Sequence, residues 1–193
     1  MATTRPQITG PEPSRPAMEV ESRLKTLEAQ VARLEKRAPD DRVCLVVFSG
    51  ELDRVLEAFV IATGAAALGQ QVSMFFTFWG LAALRRRRQF NGKRFHEKLM
   101  ALVSPGSSRL PLSRMNLFGA GPQMMRRVMR DKHVASLEDL MRIARRTGAR
   151  IAVCETSRDM MGLAEGELPV DLEFGCTAGF LTEALRSRMT LLI

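Results

Sequence analysis

The feature that most constrains the fold is a strand–helix–strand signature at residues 43–78. Residues 43–48 (VCLVVF) are apolar without interruption, the pattern of a central parallel strand buried on both faces. Ser49 and Gly50 make a turn. Residues 51–68 then read as a helix, with Leu52, Val55, Leu56, Phe59 and Val60 facing inward. Small residues at 64–67 let that helix pack closely, and Gly69 is a stop signal. A second apolar strand follows at 72–78. Two buried strands joined by one helix in so short a stretch imply a right-handed parallel βαβ unit.

The stretch 79–88 begins apolar and ends in Arg85, Arg86, Arg87 and Arg88. It predicts a helix leaving the second strand with its arginines in solvent. The apolar part is shorter than the roughly 20 residues a bilayer needs. Peripheral contact with anionic lipid is the weaker reading of that basic run. Residues 90–103 suit a helix, and 104–122 form a long loop rich in Gly and Pro. Gly119 and Gly121 precede Pro122, which suits the first position of a helix. Free N–H groups there could hold an anion, although a structural turn is the simpler reading. Residues 124–131 are helical and Met-rich. Ser136 and Asp139 make a capping box for a helix that reaches Thr147 and stops at Gly148. Its buried stripe is Leu137, Leu140, Met141 and Ala144. A third strand is expected at 150–154, irregular chain at 165–172, a helix at 177–187, and a final buried strand at 189–193 that ties down the C-terminus.

The chemistry concentrates at residues 151–162, IAVCETSRDMMG. A buried strand there delivers Cys154 to the mouth of a turn, just ahead of a helix. A thiol near the positive end of a helix dipole is favoured as thiolate. Ser157 or Asp159 suits the cap of that helix, and Arg158 suits the thiolate's surroundings. Asp159 is assigned to capping because a carboxylate beside the sulfur would oppose its ionisation. His96 and His133 fall on exposed helix or loop positions, so no general base stands out. The bland alternative is that Cys154 is a small buried hydrophobe.

Composition narrows the classes. A chain of 193 residues with 46% hydrophobic content holds one sizeable core plus an appendage. The net charge of +8 would suit an acidic partner, but Tyr is absent and no nucleic-acid motif appears, so a nucleic-acid role is not expected. Cys44, Cys154 and Cys176 are widely spaced, without CxxC or a metal-ligand cluster. A disulfide framework is not expected, nor a metal, nor a cofactor, and a reducing cytoplasm fits best. No apolar leader precedes the domain.

The N-terminal part has a different character. Residues 1–17 carry Pro6, Pro11, Pro13 and Pro16 and read as a disordered tail. Residues 18–38 contain Val20, Leu24, Leu27, Val31 and Leu34 at steps of four, three, four and three. That is the spacing of a short coiled-coil helix, and it points to oligomerisation. Pro39, Asp40 and Asp41 read as a linker, with the α/β domain at 42–193.

Five stretches resemble the DsrE/DsrF-like family of sulfurtransferase-type proteins, in particular the subgroup with a longer insertion between its second and third strands. They are VVFSGELDRVLEAFVIATGAAALG, VSMFFTFWGL, RMNLFGAGPQMMRRVM, VASLEDL and IAVCETSRDMMG, in family order. The resemblance implies a flavodoxin-like α/β fold, a parallel sheet with helices on both faces, assembled as trimers or hexamers. It also implies sulfur relay, in which a cysteine carries a persulfide and passes it to a sulfur-carrier or rhodanese-type protein. The matching cysteine is Cys154. Cys176, in GCTAGF, is a possible second thiol, and Cys44 inside the first strand is structural. Two alternatives stand beside the relay: an oligomeric scaffold of the same fold, and a thiol-redox protein using Cys154 and Cys176.

Overall fold

A computed structural model describes residues 15–87, 106–114, 116 and 119–193. The chain divides into two compact units, Met1–Ala38 and Pro39–Ile193.

Among the described residues the first unit holds one helix, α1 (Arg15–Glu35). It starts earlier than the heptad spacing indicates and takes in Pro16. In the first turn proline's missing N–H would have had no intrahelical partner. The rest of the expected disordered tail lies outside the described residues. Val20, Leu24, Leu27, Val31 and Leu34 are each 51–68% exposed. Surface pairs Glu19–Arg23 and Glu21–Lys25 support the helix at i,i+4 spacing.

The second unit is an α/β fold around a five-stranded, wholly parallel sheet in the order β4-β3-β2-β1-β5. Its strands are β1 (Asp40–Val47), β2 (Gln71–Phe76), β3 (Arg150–Cys154), β4 (Glu173–Gly175) and β5 (Ser187–Leu192). The helices are α2 (Leu52–Ala67), α3 (Leu81–Leu84), α4 (Ala120–Asp131), α5 (Leu137–Arg146), α6 (Glu155–Met160) and α7 (Thr177–Ala184). Alternation along the strands sorts the core into two layers. Val43, Leu45, Val47, Val72, Met74, Phe76, Ile151 and Val153 pack with Leu52, Val55, Phe59, Leu137 and Leu140 of α2 and α5. Cys44, Phe75 and Cys154 point the other way and pack with Phe180 of α7. Phe75 and Phe180 stack at 4.8 Å. The chain steps outward from β1 to β4, then returns to place β5 on the far side of β1. The layering is flavodoxin-like, with the fifth strand where the flavodoxin order has its second.

Several elements differ from the sequence reading. Asp40 and Asp41 belong to β1 rather than to a linker. On α2, Ala58 and Ala62 face inward, while Val60 is exposed. The inward stripe thus runs 52, 55, 58, 59, 62, and small residues let the helix sit close to the sheet. Gly69 ends this helix with φ +77°, as expected. β4 is a strand that the sequence does not announce. β5 is an edge strand with Met189 and Leu192 exposed, not a buried one. Its end is fixed by backbone bonds: Ile193 N–H donates to Val46 O, and the Phe48 and Ser49 N–H groups donate to Ile193 O. Pro122 is the third residue of α4, behind the cap Gly119 at φ +93°. The expected helix at 90–103 and Arg88 lie outside the described residues.

Arg85 is the sharpest departure. It does not reach solvent: its side chain and that of Glu167 are both 0% exposed, joined at 2.5 Å. Arg86 N–H also donates to Glu167 O. The pair fastens the chain beyond α3 to the β3–β4 connection. A buried guanidinium needs such a partner, and Glu167 lies too far along the sequence for pattern reading to pair them.

Candidate functional site

The site lies at the carboxyl end of the sheet. Phe76 is the register partner of Val153, so Thr77 follows beside Cys154 on one side. On the other side Cys154 pairs with Gly175. The cysteine closes β3 and is also the cap residue of α6. Cys176 holds the same position at the start of α7, one residue beyond Gly175.

Cys154 is 3% exposed. Burial pushes its thiol up. The Ser157 hydroxyl and backbone N–H, with the Thr77 and Thr177 hydroxyls, favour the charged sulfur, outweigh burial and hold the thiol below the ordinary cysteine value. Ser157 is itself buried, and its hydroxyl lies 2.7 Å from the Thr77 hydroxyl. Cys44, in the same core layer, goes the other way. Burial raises its thiol, with the Ser187 hydroxyl only partly offsetting the rise. Of these two buried cysteines, the surroundings lower the thiol of one and raise that of the other.

The turn that presents Thr77 is tightly constrained. Thr77 N–H donates to Val47 O at 3.0 Å, and Gly80 N–H to Phe48 O at 2.8 Å. A Cβ on Gly80 would sit 2.1 Å from Val47 O, so only glycine permits this approach. Between them Phe78 holds φ at 45°, a left-handed conformation that costs energy for a bulky side chain. Phe48, Phe78 and Trp79 are partly exposed around this turn, with Phe48 and Phe78 rings 5.5 Å apart.

Residues 39–192 match the DsrE/DsrF/DrsH-like family. The chain belongs to that family. The uncharacterized protein YrkE of Bacillus subtilis (strain 168) is 36% identical over 154 residues, covering 79% of this chain and 96% of its own length. The sulfur carrier protein DsrE2 of Allochromatium vinosum is 26% identical over 162 residues, covering 79% and 98%. The crystal structure of the ychN protein from E. coli is a remoter likeness, at 11% identity and a TM-score of 0.46 over 79% of this chain and 98% of that one. Helix α1 lies outside the family match.

For this DsrE/DsrF/DrsH-like chain the other expected site residues fall out as follows. Ser157 and Asp159 do not cap α6, whose cap residue is Cys154 without a side-chain cap bond. Ser157 is turned inward to the sulfur instead. Asp159 binds Arg158 at 2.8 Å, and the Arg158 guanidinium lies 5.1 Å from the centre of the Phe174 ring. Cys176 is exposed, and a Cβ on Gly179 of the first α7 turn would lie 3.8 Å from its sulfur. Gly119 and Gly121 do not offer free N–H groups to an anion, because both donate to Asn116 O. His133 is an exposed turn residue with φ 56°, and His96 lies outside the described residues. Among the described residues no group of three or more His, Cys, Asp or Glu side chains could hold a metal ion. No described helix is long and apolar enough to cross a membrane.

Sequence reasoning missed Thr77 and Thr177. Thr77 reads as part of a strand and Thr177 as an ordinary first helical residue. Only the register, which sets β2 and β4 on either side of β3, makes them neighbours of Cys154.

Proposed function

We propose that this protein carries sulfane sulfur as a persulfide on Cys154 and hands it to a thiol of a partner sulfur-relay protein. The observation that carries the reading is the set of donors around the Cys154 sulfur, which favours its thiolate despite burial. Membership of the DsrE/DsrF/DrsH-like family and the likeness to a protein named as a sulfur carrier support it.

The chemistry balances without a cofactor. The Cys154 thiolate attacks the terminal sulfur of a donor persulfide R–S–SH. The donor S–S bond breaks, R–S⁻ leaves, and Cys154–S–SH forms. In the return step an acceptor thiolate attacks the terminal sulfur, and the Cys154 thiolate leaves. The surroundings that favour Cys154 as an anion also make it a good leaving group in that second step. The acceptor is a thiol on a sulfur-carrier or rhodanese-type protein, and the carrier works as a homo-oligomer.

A second reading is a dithiol of Cys154 with Cys176, which lies one residue past the register partner of Cys154 and caps α7.

Intact-protein mass spectrometry after treatment with glutathione persulfide tests both readings. The carrier gains about 32 Da per sulfur atom, and the gain disappears in Cys154→Ala. A gain unaffected by that change overturns Cys154 as the carrier. Loss of two hydrogens, abolished by Cys154→Ala and by Cys176→Ser alike, is the dithiol result. A reduced, folded protein that takes up no sulfur leaves the family scaffold without relay chemistry.

A further inference from the structure

We propose that α1 pairs with α1 of a second copy of this chain, with the two helices parallel and in register. This inference does not depend on the sulfur chemistry.

The helix carries an apolar seam with nothing to bury it on its own. Val20, Leu27 and Leu34 occupy one set of heptad positions (d), and Leu24 and Val31 the other (a). All five are at least half exposed in the single chain. An isolated helix of this length is marginal in water, so a partner for the seam is what makes it stable.

The flanking charges specify the partner and its direction. The positions after each d residue (e) are Glu21, Glu28 and Glu35, all acidic. The positions before each a residue (g) are Arg23 and Gln30. In a parallel pair, each g side chain faces the e side chain five residues on in the other helix. Arg23 then meets Glu28 of the second copy, and Gln30 meets Glu35. In an antiparallel pair e faces e and g faces g. That arrangement would set glutamate against glutamate along one flank and leave Arg23 without an acidic contact. The same flanks are therefore complementary in one direction and repulsive in the other. The Glu19–Arg23 pair within one helix is fully on the surface and does not compete strongly for Arg23.

Direction has a consequence for the assembly. Twenty-one residues of helix span about 30 Å. Parallel pairing brings the two helix C-termini together, so both chains enter their α/β units from the same end. Antiparallel pairing would part them by that length.

The test uses the full-length chain carrying Cys154→Ser and Cys176→Ser, so that the engineered thiol is the exposed one. Val20→Cys and Val31→Cys are made separately, oxidised, and run on a non-reducing gel. Parallel, in-register pairing gives a covalent dimer from each variant by itself. Crosslinking that needs the two variants mixed is the antiparallel result and overturns the proposal, and so does the absence of crosslinks in either format. Charge reversal adds a second readout. Arg23→Glu alone and Glu28→Arg alone should each lower the Val20→Cys crosslinking yield several-fold, and the double reversal should restore it. A double variant no better than the singles overturns the assigned register.

Discussion

At the scale of single residues, the hydroxyl contacts to Cys154 make a claim about protons. The native thiol is held below its ordinary value, so between the folded and unfolded values the native chain binds fewer protons than the unfolded one. Stability from this group is fully present above the unfolded value and is lost as pH falls through the folded one. Ser157→Ala removes one donor and leaves the burial. The pH at which the thiolate absorbance of Cys154 appears, read as the difference from Cys154→Ala, should move up. The rise of stability with pH in urea unfolding should flatten. An unmoved titration would mean that something other than Ser157 sets the thiol. Cys154 was legible as a candidate because the end of an apolar strand and the start of a helix meet there. Its surroundings were not, since Thr77 follows β2 and Thr177 opens α7 beyond β4, and the cap position suggested for Ser157 hides that its side chain is buried. Arg85 teaches the same lesson about burial. Its place in a run of four arginines suggests solvent, yet it is sealed against Glu167. Glu167→Ala should lower stability in denaturant melts, because it removes a buried carboxylate that bonds both the Arg85 guanidinium and the Ala164 N–H.

At the scale of elements, local chemistry and tertiary context divide the credit. Helix α5 was readable except for Met141, expected in the buried stripe but only half-buried. Ser136 and Asp139 form the complete capping box, and Leu137, Leu140 and Ala144 are buried as the spacing requires. Ser136→Ala should lower stability by about 1 kcal/mol, and Ser136→Asn should recover most of it, both by urea titration. Strand β4 was not readable, because three residues carry no periodicity and its pairing with β3 comes from outside the segment. The turn after β2 lies between these cases. Its glycine is visible in the sequence, but the reason for it is not, since the carbonyl it approaches belongs to β1. Gly80→Ala must displace the turn or β1. It should cost about 1–3 kcal/mol, the range for overpacked sites, and should also slow the reaction of Cys154 with a persulfide, because Thr77 sits in the same turn. A stability loss without a change in that rate would separate the turn from the site.

At the scale of the whole molecule, the two units make separate demands for partners. The two relatives have almost no length beyond the matched region, at 96% and 98% coverage of their own chains. Yet the α/β unit's own surface is incomplete. Among the described residues β5 ends the sheet with one edge unpaired, and it carries exposed Met189 and Leu192. Helix α7, which contacts it, exposes Leu181 and Leu185. Unpaired edges and clustered apolar side chains are features that soluble proteins cover. The assembly that the family resemblance implies would cover them with further copies. A chain lacking residues 1–38 should therefore remain oligomeric in light scattering, and Leu185→Lys with Leu192→Lys should turn it into a monomer. The same pair of changes in the full-length chain should leave the dimer held through α1. If the shortened wild-type chain is already a monomer at the concentrations where the full chain assembles, α1 alone drives association, and the exposed β5–α7 surface is free for a different protein.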